Sequence, residues 1–393
     1  RTWARGVTAA YAYDAFGQVT NTAYSDGTPA VSRAYDRLGR TVSAVSAVSS
    51  CRYTYHGMDP LHDVQDGAAL TRVFDGRGLP AAVCLVESYI DENYGWWYYV
   101  AHEFGVFYNH DDAGRLWGVE TMFGLLNEWW DPPPLLFSNG YGYRPGSDQV
   151  AWVDGVGSPY SGDEQMYAPP LFRAFSHDPA RGLVSCVSNL WGGAPVSSFA
   201  YAHDAAGRRT QRVDTTTGLP VTNAFGYNPR SEVTEAVMGD DTYGYAYDPI
   251  GNRTQSAAAA GSGAACTNAY AANALNQYTC ITNFAPFAPS RETLPVYDAD
   301  GNLTAYGPWA YTWDAENRLV SACSNGVLLV TNVYDHRSRR VRKEVSVWDG
   351  QVEAYVPQSS AHYLWDGWNV VRETVAVGSR SEERRVGKEC RSR

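Results

Sequence analysis

The chain has 393 residues, of which 44% are hydrophobic and 19% charged, and 42 acidic against 31 basic residues give a formal net charge of −11. This composition provides enough apolar material for a large core and excludes a disordered chain. The acidic balance disfavours nucleic-acid or anionic-membrane binding, and no apolar run approaches the roughly 20 residues of a membrane span.

The chain begins at Arg1, with no initiator Met and no basic-then-apolar segment that would mark an export signal. We therefore expect a fragment whose start lies upstream. Six cysteines precede residue 380 and none forms a C-x-x-C pair, so neither a zinc knuckle nor a redox dithiol is indicated. Scattered buried thiols are favoured over three disulfides, and both readings stay open.

A unit of the form aromatic-x-aromatic-Asp-x-x-Gly, followed by a polar residue, recurs along the chain. Clear copies begin at Tyr11, Tyr245 and Val296, and looser copies lie between and after them. Such recurrence indicates one supersecondary unit used many times. The repeat positions that define the pattern are Tyr11, Tyr13, Asp14, Gly17, Asp36, Gly39, Asp111, Gly114, Asp204, Gly207, Tyr245, Tyr247, Asp248, Gly251, Asp298, Gly301, Asp314, Asp335, Asp366 and Gly367.

Each copy predicts a strand, a tight turn and a returning strand. Aromatic residues at i and i+2 lie on the same face of a strand, because the side-chain period is two. The Asp suits the first position of a turn, where its carboxylate accepts hydrogen bonds from backbone N–H groups, and the Gly supplies a positive φ. A lone hairpin is not stable in water, so neighbouring hairpins must pair. The sequence therefore predicts an all-β fold, a spiralling antiparallel ribbon of hairpins over residues 1–374.

Two stretches depart from the regular pattern. Residues 85–170 are rich in aromatics, including Trp96-Trp97 and Trp129-Trp130, and contain the Pro132–Pro134 run, which a central strand excludes. We interpret them as degenerate repeats with larger side chains rather than as a stacking surface for sugars or peptides. The Ala, Gly and Ser residues within 255–268 predict a flexible loop.

The last residues differ from the rest of the chain. Residues 375–379 form a junction, and residues 380–393 abandon the preceding composition and resemble a translated sequencing-library adapter. A natural basic tail is the alternative. We therefore leave residues 380–393 out of the fold prediction.

No motif predicts a catalytic or cofactor site. The residues most similar to a metal-binding cluster are His102-Glu103 and His110-Asp111-Asp112. However, His110 occupies the repeat position that is Tyr or Trp in other copies, which is typical of a packing position. The recurring Asp could suggest calcium, but one Asp in each turn is explained by the turn itself. We expect no catalytic residue, no metal and no cofactor.

The repeat resembles the YD repeat of the RHS family, which includes bacterial polymorphic toxins, toxin-complex proteins, wall-associated proteins and the animal teneurins. The Leu275-Asn276-Gln277-Tyr278-Thr279 run is similar to a common variant of that repeat, and Tyr363–Val370 resembles the entry to the RHS-associated core. The resemblance covers about residues 8 to 374.

The resemblance implies a β-shell that encloses a C-terminal toxin segment, in a secreted or cell-surface bacterial protein. It implies partnership with that toxin, and with a secretion apparatus or the cell wall, but not with nucleic acid. In this sequence we find neither the family's cleavage site nor a toxin, so no catalytic role carries over. Two alternatives remain: a surface adhesion or carbohydrate-binding repeat protein, and part of a nuclease toxin such as a transfer-RNA-cleaving wall-associated protein.

Overall fold

The computed structural model describes residues 1–57, 59–65, 68–90, 99–125, 135–157, 170–377 and 380–385. The regular elements of these residues are all β-strands, 32 in number. None of the described residues forms a helix long and apolar enough to span a bilayer. The aromatic pairs Trp96-Trp97 and Trp129-Trp130 and the proline run at 132–134 lie outside the described residues.

The strands belong to two sheets of 23 and nine strands. The first contains β1 (Ala9–Tyr13), β2 (Val19–Tyr24), β3 (Val31–Tyr35), β4 (Thr41–Val45), β5 (Ser50–His56), β6 (Asp59–Gln65), β7 (Ala68–Phe74), β8 (Pro80–Ile90), β9 (Tyr99–His110), β10 (Leu116–Leu125), β11 (Leu135–Tyr143), β12 (Val150–Gly157), β13 (Leu171–His177), β14 (Val184–Trp191), β15 (Ala194–His203), β16 (Arg209–Thr215), β17 (Val221–Tyr227), β18 (Val233–Met238), β19 (Asp241–Tyr247), β20 (Arg253–Ala259), β21 (Cys266–Ala272), β22 (Tyr278–Phe284) and β23 (Arg291–Thr293). The second contains β24 (Val296–Tyr297), β25 (Leu303–Tyr306), β26 (Trp309–Trp313), β27 (Leu319–Ser324), β28 (Leu328–Tyr334), β29 (Arg340–Asp349), β30 (Ala354–Asp366), β31 (Asn369–Val377) and β32 (Arg380–Arg385).

Strands that follow one another pair antiparallel, as in a chain of hairpins. The register shifts by one residue just before the turn in copy after copy, so that Tyr13 lies opposite Val19 and Tyr247 opposite Arg253. Such a bulge turns the last aromatic residue of the strand before the Asp and increases the local twist. The predicted all-β fold, an antiparallel ribbon of hairpins, is confirmed.

The chain divides into two compact units, which differs from the single continuous domain predicted for residues 1–374. Unit 1 comprises Arg1–Arg72 and Leu294–Arg393, and unit 2 comprises Val73–Thr293. The division arises because the N-terminal strands contact turns almost 300 residues later, a long-range pairing that a local repeat pattern cannot reveal.

The core of unit 1 combines small apolar residues with buried ionic ones. Ala44, Leu70 and Cys51 are each 1% exposed, and so are Asp63 and Arg339. Buried charges are costly unless they are paired and hydrogen-bonded, so these polar side chains require specific partners. In unit 2 the buried apolar residues include Ala82, Val83, Leu85 and Ala236.

Two predictions about the irregular segments need correction. The predicted loop 255–268 is too long: residues 255–259 lie in β20 and 266–268 in β21, and only residues 260–265 connect the two strands. Ala257 pairs with both Gly244 and Thr267. The first six residues of the excluded segment 380–393 form β32, which pairs with β31. An edge strand presents unpaired backbone groups that an extended segment of any sequence can satisfy. The adapter origin of that segment stays a prediction.

The turn glycines give a first prediction. Gly78 has a φ of +81° and a Cβ added there meets nothing within 4 Å, so a substitution acts through the backbone alone. Gly78→Val is expected to lower the free energy of unfolding by about 1 to 3 kcal/mol, because a β-branched residue disfavours the left-handed region. Gly76 lies in the same turn, also in open space but without a positive φ, so Gly76→Val is the matched control. Urea denaturation measures both, and equal losses would contradict the explanation.

Candidate functional site

The repeated turns share one hydrogen-bonded geometry. In the turn at Asp248, the N–H of Gly251 donates to the carbonyl of Asp248 at 3.2 Å, and Oδ1 of Asp248 accepts from the N–H groups of Ile250 and Asn252 at 3.0 and 2.8 Å. The same carboxylate or amide oxygen caps the turns at Asp14, Asp36, Asp75, Asp111, Asp178, Asp204, Asn228, Asn273, Asp298, Asp314 and Asp335.

Several of these turns are also linked to the next turn of the ribbon. Arg208 donates from Nε to Oδ2 of Asp204 at 2.6 Å and from Nη1 to the carbonyl of Asn228 at 2.9 Å. Its guanidinium lies 5.0 Å from the ring centroid of Tyr227, whose hydroxyl donates to the carbonyl of Arg209 at 2.7 Å. One arginine therefore closes its own turn and holds the following one. Comparable arginines are Arg40, Arg115, Arg318 and Arg339.

The sequence-predicted residues thus lie in turns rather than in one convergent site. The Asp111 carboxylate accepts a hydrogen bond from the backbone of its own turn and forms an ion pair with Arg115, while Asp112 is exposed. His110 is half-buried, and the side chains of His102 and Glu103 lie outside the described residues. Tyr11 and Tyr13 are 39% and 59% exposed. The repeat positions therefore lie in the strands and turns of hairpins, and their purely structural role stays a prediction.

The last repeat position behaves differently from the others. Asp366 accepts two hydrogen bonds from Arg72, at 2.9 and 2.7 Å, and Gly367 adopts a φ of +57° and accepts from Arg339 through its carbonyl. This turn therefore connects to the N-terminal strands of unit 1.

Four such turn tips in unit 1 meet the N-terminal segment in order, and we call this row of contacts the seam. Asp300 accepts from Ala4 N at 2.7 Å; Glu316 accepts from the Tyr24 hydroxyl at 2.7 Å. The contacts that make up the seam join Ala4 and Arg5 to Asp300, Tyr24 to Glu316, Thr28 to Ala315, Tyr53 to His336, Gln65 to Trp365, and Arg72 to Asp366. The sequence separations of these contacts lie between 283 and 300 residues. Arg5 also donates to the carbonyls of Trp313 and Asp314, which are 308 and 309 residues away. The two segments therefore run in the same order along the seam.

A cluster of buried charges lies at the C-terminal end of the seam. Arg72 lies 2.7 Å from Asp366 and 3.7 Å from Asp63, and Gln65 donates to Asp63 at 2.9 Å. Burial raises the pKa of Asp63 above its usual range, and the positive charge of Arg72 opposes that shift. The cluster stabilises the contact between the two segments only while each buried charge has a partner of opposite charge, because an unpaired buried charge is costly.

Arg339 and Asp335 form a second, fully buried pair beside this cluster. Nε of Arg339 lies 2.7 Å from Oδ2 of Asp335, and both side chains have no exposed surface. Nη1 of Arg339 donates to the carbonyl of Gly367 at 2.8 Å. The Asp and the Arg of one repeat therefore join two turns in the interior of unit 1.

Cys51, Asp335 and His336 approach one another in the same region. One ligand atom of each lies within 4.8 Å of the others. Burial raises the pKa of the Cys51 thiol to about 11 and lowers that of His336 to about 4. A buried thiol that holds its proton is a poor nucleophile, so this arrangement does not resemble an activated cysteine–histidine pair.

The repeat pattern includes Asp335 but not the other buried residues that lie near it. Asp63, Arg72 and Cys51 lie outside the recurring positions of the repeat, and their partners are almost 300 residues away. Arg339 occupies the position four residues after the Asp, which is a visible but general feature of the repeat. Nothing in the local sequence distinguishes it from its exposed counterparts.

The exchange of polarity within the turns gives a second prediction. Asp248 accepts from Asn252 Nδ2 at 2.9 Å, whereas Asn273 donates from its Nδ2 to Gln277 at 2.9 Å, so donor and acceptor can trade places. Asn252→Asp alone is expected to lower the free energy of unfolding by about 0.5 to 1.5 kcal/mol, because it leaves two carboxylates facing each other. Asp248→Asn alone leaves two amides, which can pair as Asn273 and Gln277 do, and should cost less. The double variant should recover most of that loss in urea denaturation. Additive losses would contradict the exchange.

Comparisons with known proteins find similarity over a limited part of the chain. No protein-family model matches it. The tRNA nuclease WapA of Bacillus subtilis strain 168 is 32% identical over 134 residues, which is 34% of this chain and 5% of that protein. The tRNA(Glu)-specific nuclease WapA of Bacillus subtilis subsp. natto is 37% identical over 82 residues, 20% of this chain and 3% of that protein. The matched segments span only a few per cent of these relatives.

Solved structures show a broader but weaker likeness. A Photorhabdus luminescens Tc holotoxin pore matches with a TM-score of 0.33 and 10% identity, covering 94% of this chain and 23% of that chain. The TcdB2-TccC3-Cdc42 crystal structure matches with a TM-score of 0.36 and 11% identity, covering 94% and 22%. Scores of this size do not establish a common fold.

Proposed function

We propose that this chain is a length of RHS-type YD-repeat ribbon that serves as part of the wall of a shell around a C-terminal toxin. The role is structural: the ribbon encloses and shields another polypeptide. The parent protein is secreted or displayed on a bacterial surface.

The observation that carries the proposal is the seam. A ribbon that contacts itself again after 283 to 309 residues, in the same order, has the contacts that neighbouring layers of a continuous wall require. Hairpins of a repeat array otherwise contact only their neighbours. The similarity to WapA supports the same interpretation, because the repeat of this chain resembles the repeat of wall-associated toxins.

The names of these relatives suggest nuclease activity as a second candidate function. The similarity covers 5% of the WapA protein of strain 168, so it does not by itself include the part that cleaves tRNA. The acidic net charge of −11 also opposes electrostatic capture of RNA.

A third prediction follows. The purified chain is expected to leave tRNA, DNA and peptide substrates intact, with or without divalent metals, because the repeat aspartates that the structure describes accept hydrogen bonds from their own turns. Incubation with each substrate followed by gel electrophoresis tests this. Turnover that persists through purification and is lost in Asp111→Ala would overturn the structural role, and Asp248→Ala, in an equivalent turn, is the control.

The parent gene offers the direct test of encapsulation. We expect the sequence that continues the open reading frame beyond codon 379 to encode further repeats followed by a distinct toxin domain. Protection of that domain from protease in the intact parent protein, and its digestion in a variant with a weakened seam, would support the proposal. A toxin domain that is equally sensitive in both proteins would contradict it.

A further inference from the structure

Cys51, Asp335 and His336 form the only group of three metal-ligating side chains found among the residues that the structure describes. Cys51 and Asp335 are buried, and His336 is half-buried. Cys51 comes from β5, whereas Asp335 and His336 begin the turn after β28. The group therefore spans the seam, between segments about 280 residues apart.

The distances suit a small ion. Three atoms that lie within 4.8 Å of one another share a point no more than about 2.8 Å from each, against bond lengths of about 2.0 to 2.3 Å for zinc with His nitrogen, carboxylate oxygen and Cys sulfur. Side-chain movements of less than about 1 Å would bring all three atoms to bonding distance. Tyr53 lies next to the group, with its hydroxyl 3.3 Å from Nε2 of His336.

The donor set favours a borderline ion over a hard one. Thiolate and imidazole select zinc and similar transition metals, whereas calcium and magnesium require oxygen ligands. Asp335 is already oriented, because its Oδ1 accepts from the N–H groups of Arg337 and Arg339 and its Oδ2 accepts from Nε of Arg339. Such outer hydrogen bonds fix a ligating carboxylate in place.

The charges around the group can accommodate the ion. Three carboxylates, Asp63, Asp335 and Asp366, lie among two closely paired arginines, Arg72 and Arg339. A divalent ion that displaces the thiol proton adds one positive charge to this region. Two further positive charges act on His336: Arg337, which lies 4.9 Å from the Tyr53 ring centroid, and Arg33. Both arginines are half-buried, so water screens part of their repulsion.

We propose that Cys51, Asp335 and His336 bind one zinc ion that cross-links the two segments of the seam. In the binding step, the Cys51 S–H bond breaks and its proton passes to water, the sulfur electron pair forms the metal bond, and one imidazole nitrogen and one Asp335 oxygen complete the protein ligands. No oxidant or reductant is required. The fourth position is left for water or the Tyr53 hydroxyl. The ion would add a direct link between β5 and the turn after β28.

Titration of the chelator-treated full chain with Zn²⁺ and with Co²⁺ tests the proposal. We expect one ion per chain, a thiolate-to-cobalt charge-transfer absorption, and a rise of the thermal midpoint on adding Zn²⁺. Cys51→Ser should abolish the charge-transfer band and the thermal shift, and His336→Phe should weaken binding at least tenfold. Cys323→Ser is the control, since Cys323 is a half-buried thiol that lies outside the proposed site and contacts a tyrosine hydroxyl at 3.2 Å; this variant should bind the ion as the unaltered chain does.

Two outcomes would overturn the proposal. One is the absence of stoichiometric binding to the unaltered chain, and the other is binding with the same charge-transfer band in Cys51→Ser. Circular dichroism without metal establishes that each variant folds; if Cys51→Ser does not fold, the tenfold loss in His336→Phe decides. The test does not depend on whether the chain belongs to a shell.

Discussion

Arg339→Met is expected to lower the free energy of unfolding of unit 1 by about 3 to 5 kcal/mol, the usual cost of leaving one member of a buried ion pair without its partner. Neither Arg339 nor Asp335 has exposed side-chain surface, and Nε of the arginine lies 2.7 Å from the carboxylate. The substitution removes this contact and the hydrogen bond to the carbonyl of Gly367. Asp335 would then keep only backbone donors around a charge that water cannot reach.

Arg208→Met is the matched control, because Arg208 occupies the same repeat position and makes the same kinds of contact. Its side chain is 28% exposed and that of Asp204 is 22% exposed, so water can replace the lost partner. We expect a loss of about 1 kcal/mol, as for exposed ion pairs. Urea denaturation followed by tryptophan fluorescence measures both variants. Similar losses at the two positions would show that burial does not decide the strength of this repeated contact.

This comparison shows what the sequence predicts and what it does not. The turn at Asp248 is predictable because its carboxylate, its glycine and its polar partner Asn252 lie within five residues and interact with one another. The alternation of aromatic residues similarly identifies the strands. These are local relations, so one copy of the repeat contains all the information that its hairpin needs.

The seam depends on relations that no single copy contains. Arg208 and Arg339 occupy the same position of the repeat, yet the side chain of Arg208 is 28% exposed and that of Arg339 is fully buried in the interior of unit 1. Burial of Arg339 depends on where the chain returns to its N-terminal strands. Asp63 and Arg72 likewise interact with a turn almost 300 residues later. A repeat pattern predicts the hairpins, but it does not predict the sequence separation between two segments of the ribbon that contact each other.

The final prediction concerns Arg72, which neutralises two carboxylates of the seam. Arg72→Met is expected to lower the free energy of unfolding by about 3 to 5 kcal/mol at pH 7, because Asp63 is 1% exposed and would lose its nearest cation. Burial already raises the pKa of Asp63, and loss of Arg72 removes the largest effect opposing that rise. The pKa of Asp63 in the folded variant would therefore lie further above its value in the unfolded chain than it does in the unaltered protein.

The sign of the pH dependence follows from that rise in the pKa. A carboxyl group whose pKa is higher in the folded state favours folding at low pH, and this contribution is lost as pH rises from the unfolded value near 4 through the raised folded value. The loss caused by Arg72→Met should therefore be smaller at pH 5 than at pH 7, since the turn carboxylates are the same in both proteins. Adding Asp63→Asn should remove this difference and recover more than half of the loss at pH 7, because the amide can still accept from Gln65. Urea denaturation at the two pH values measures each step, and a loss that is independent of pH, or that Asp63→Asn does not reduce, would show that the Arg72–Asp63 charge pairing does not hold this end of the seam.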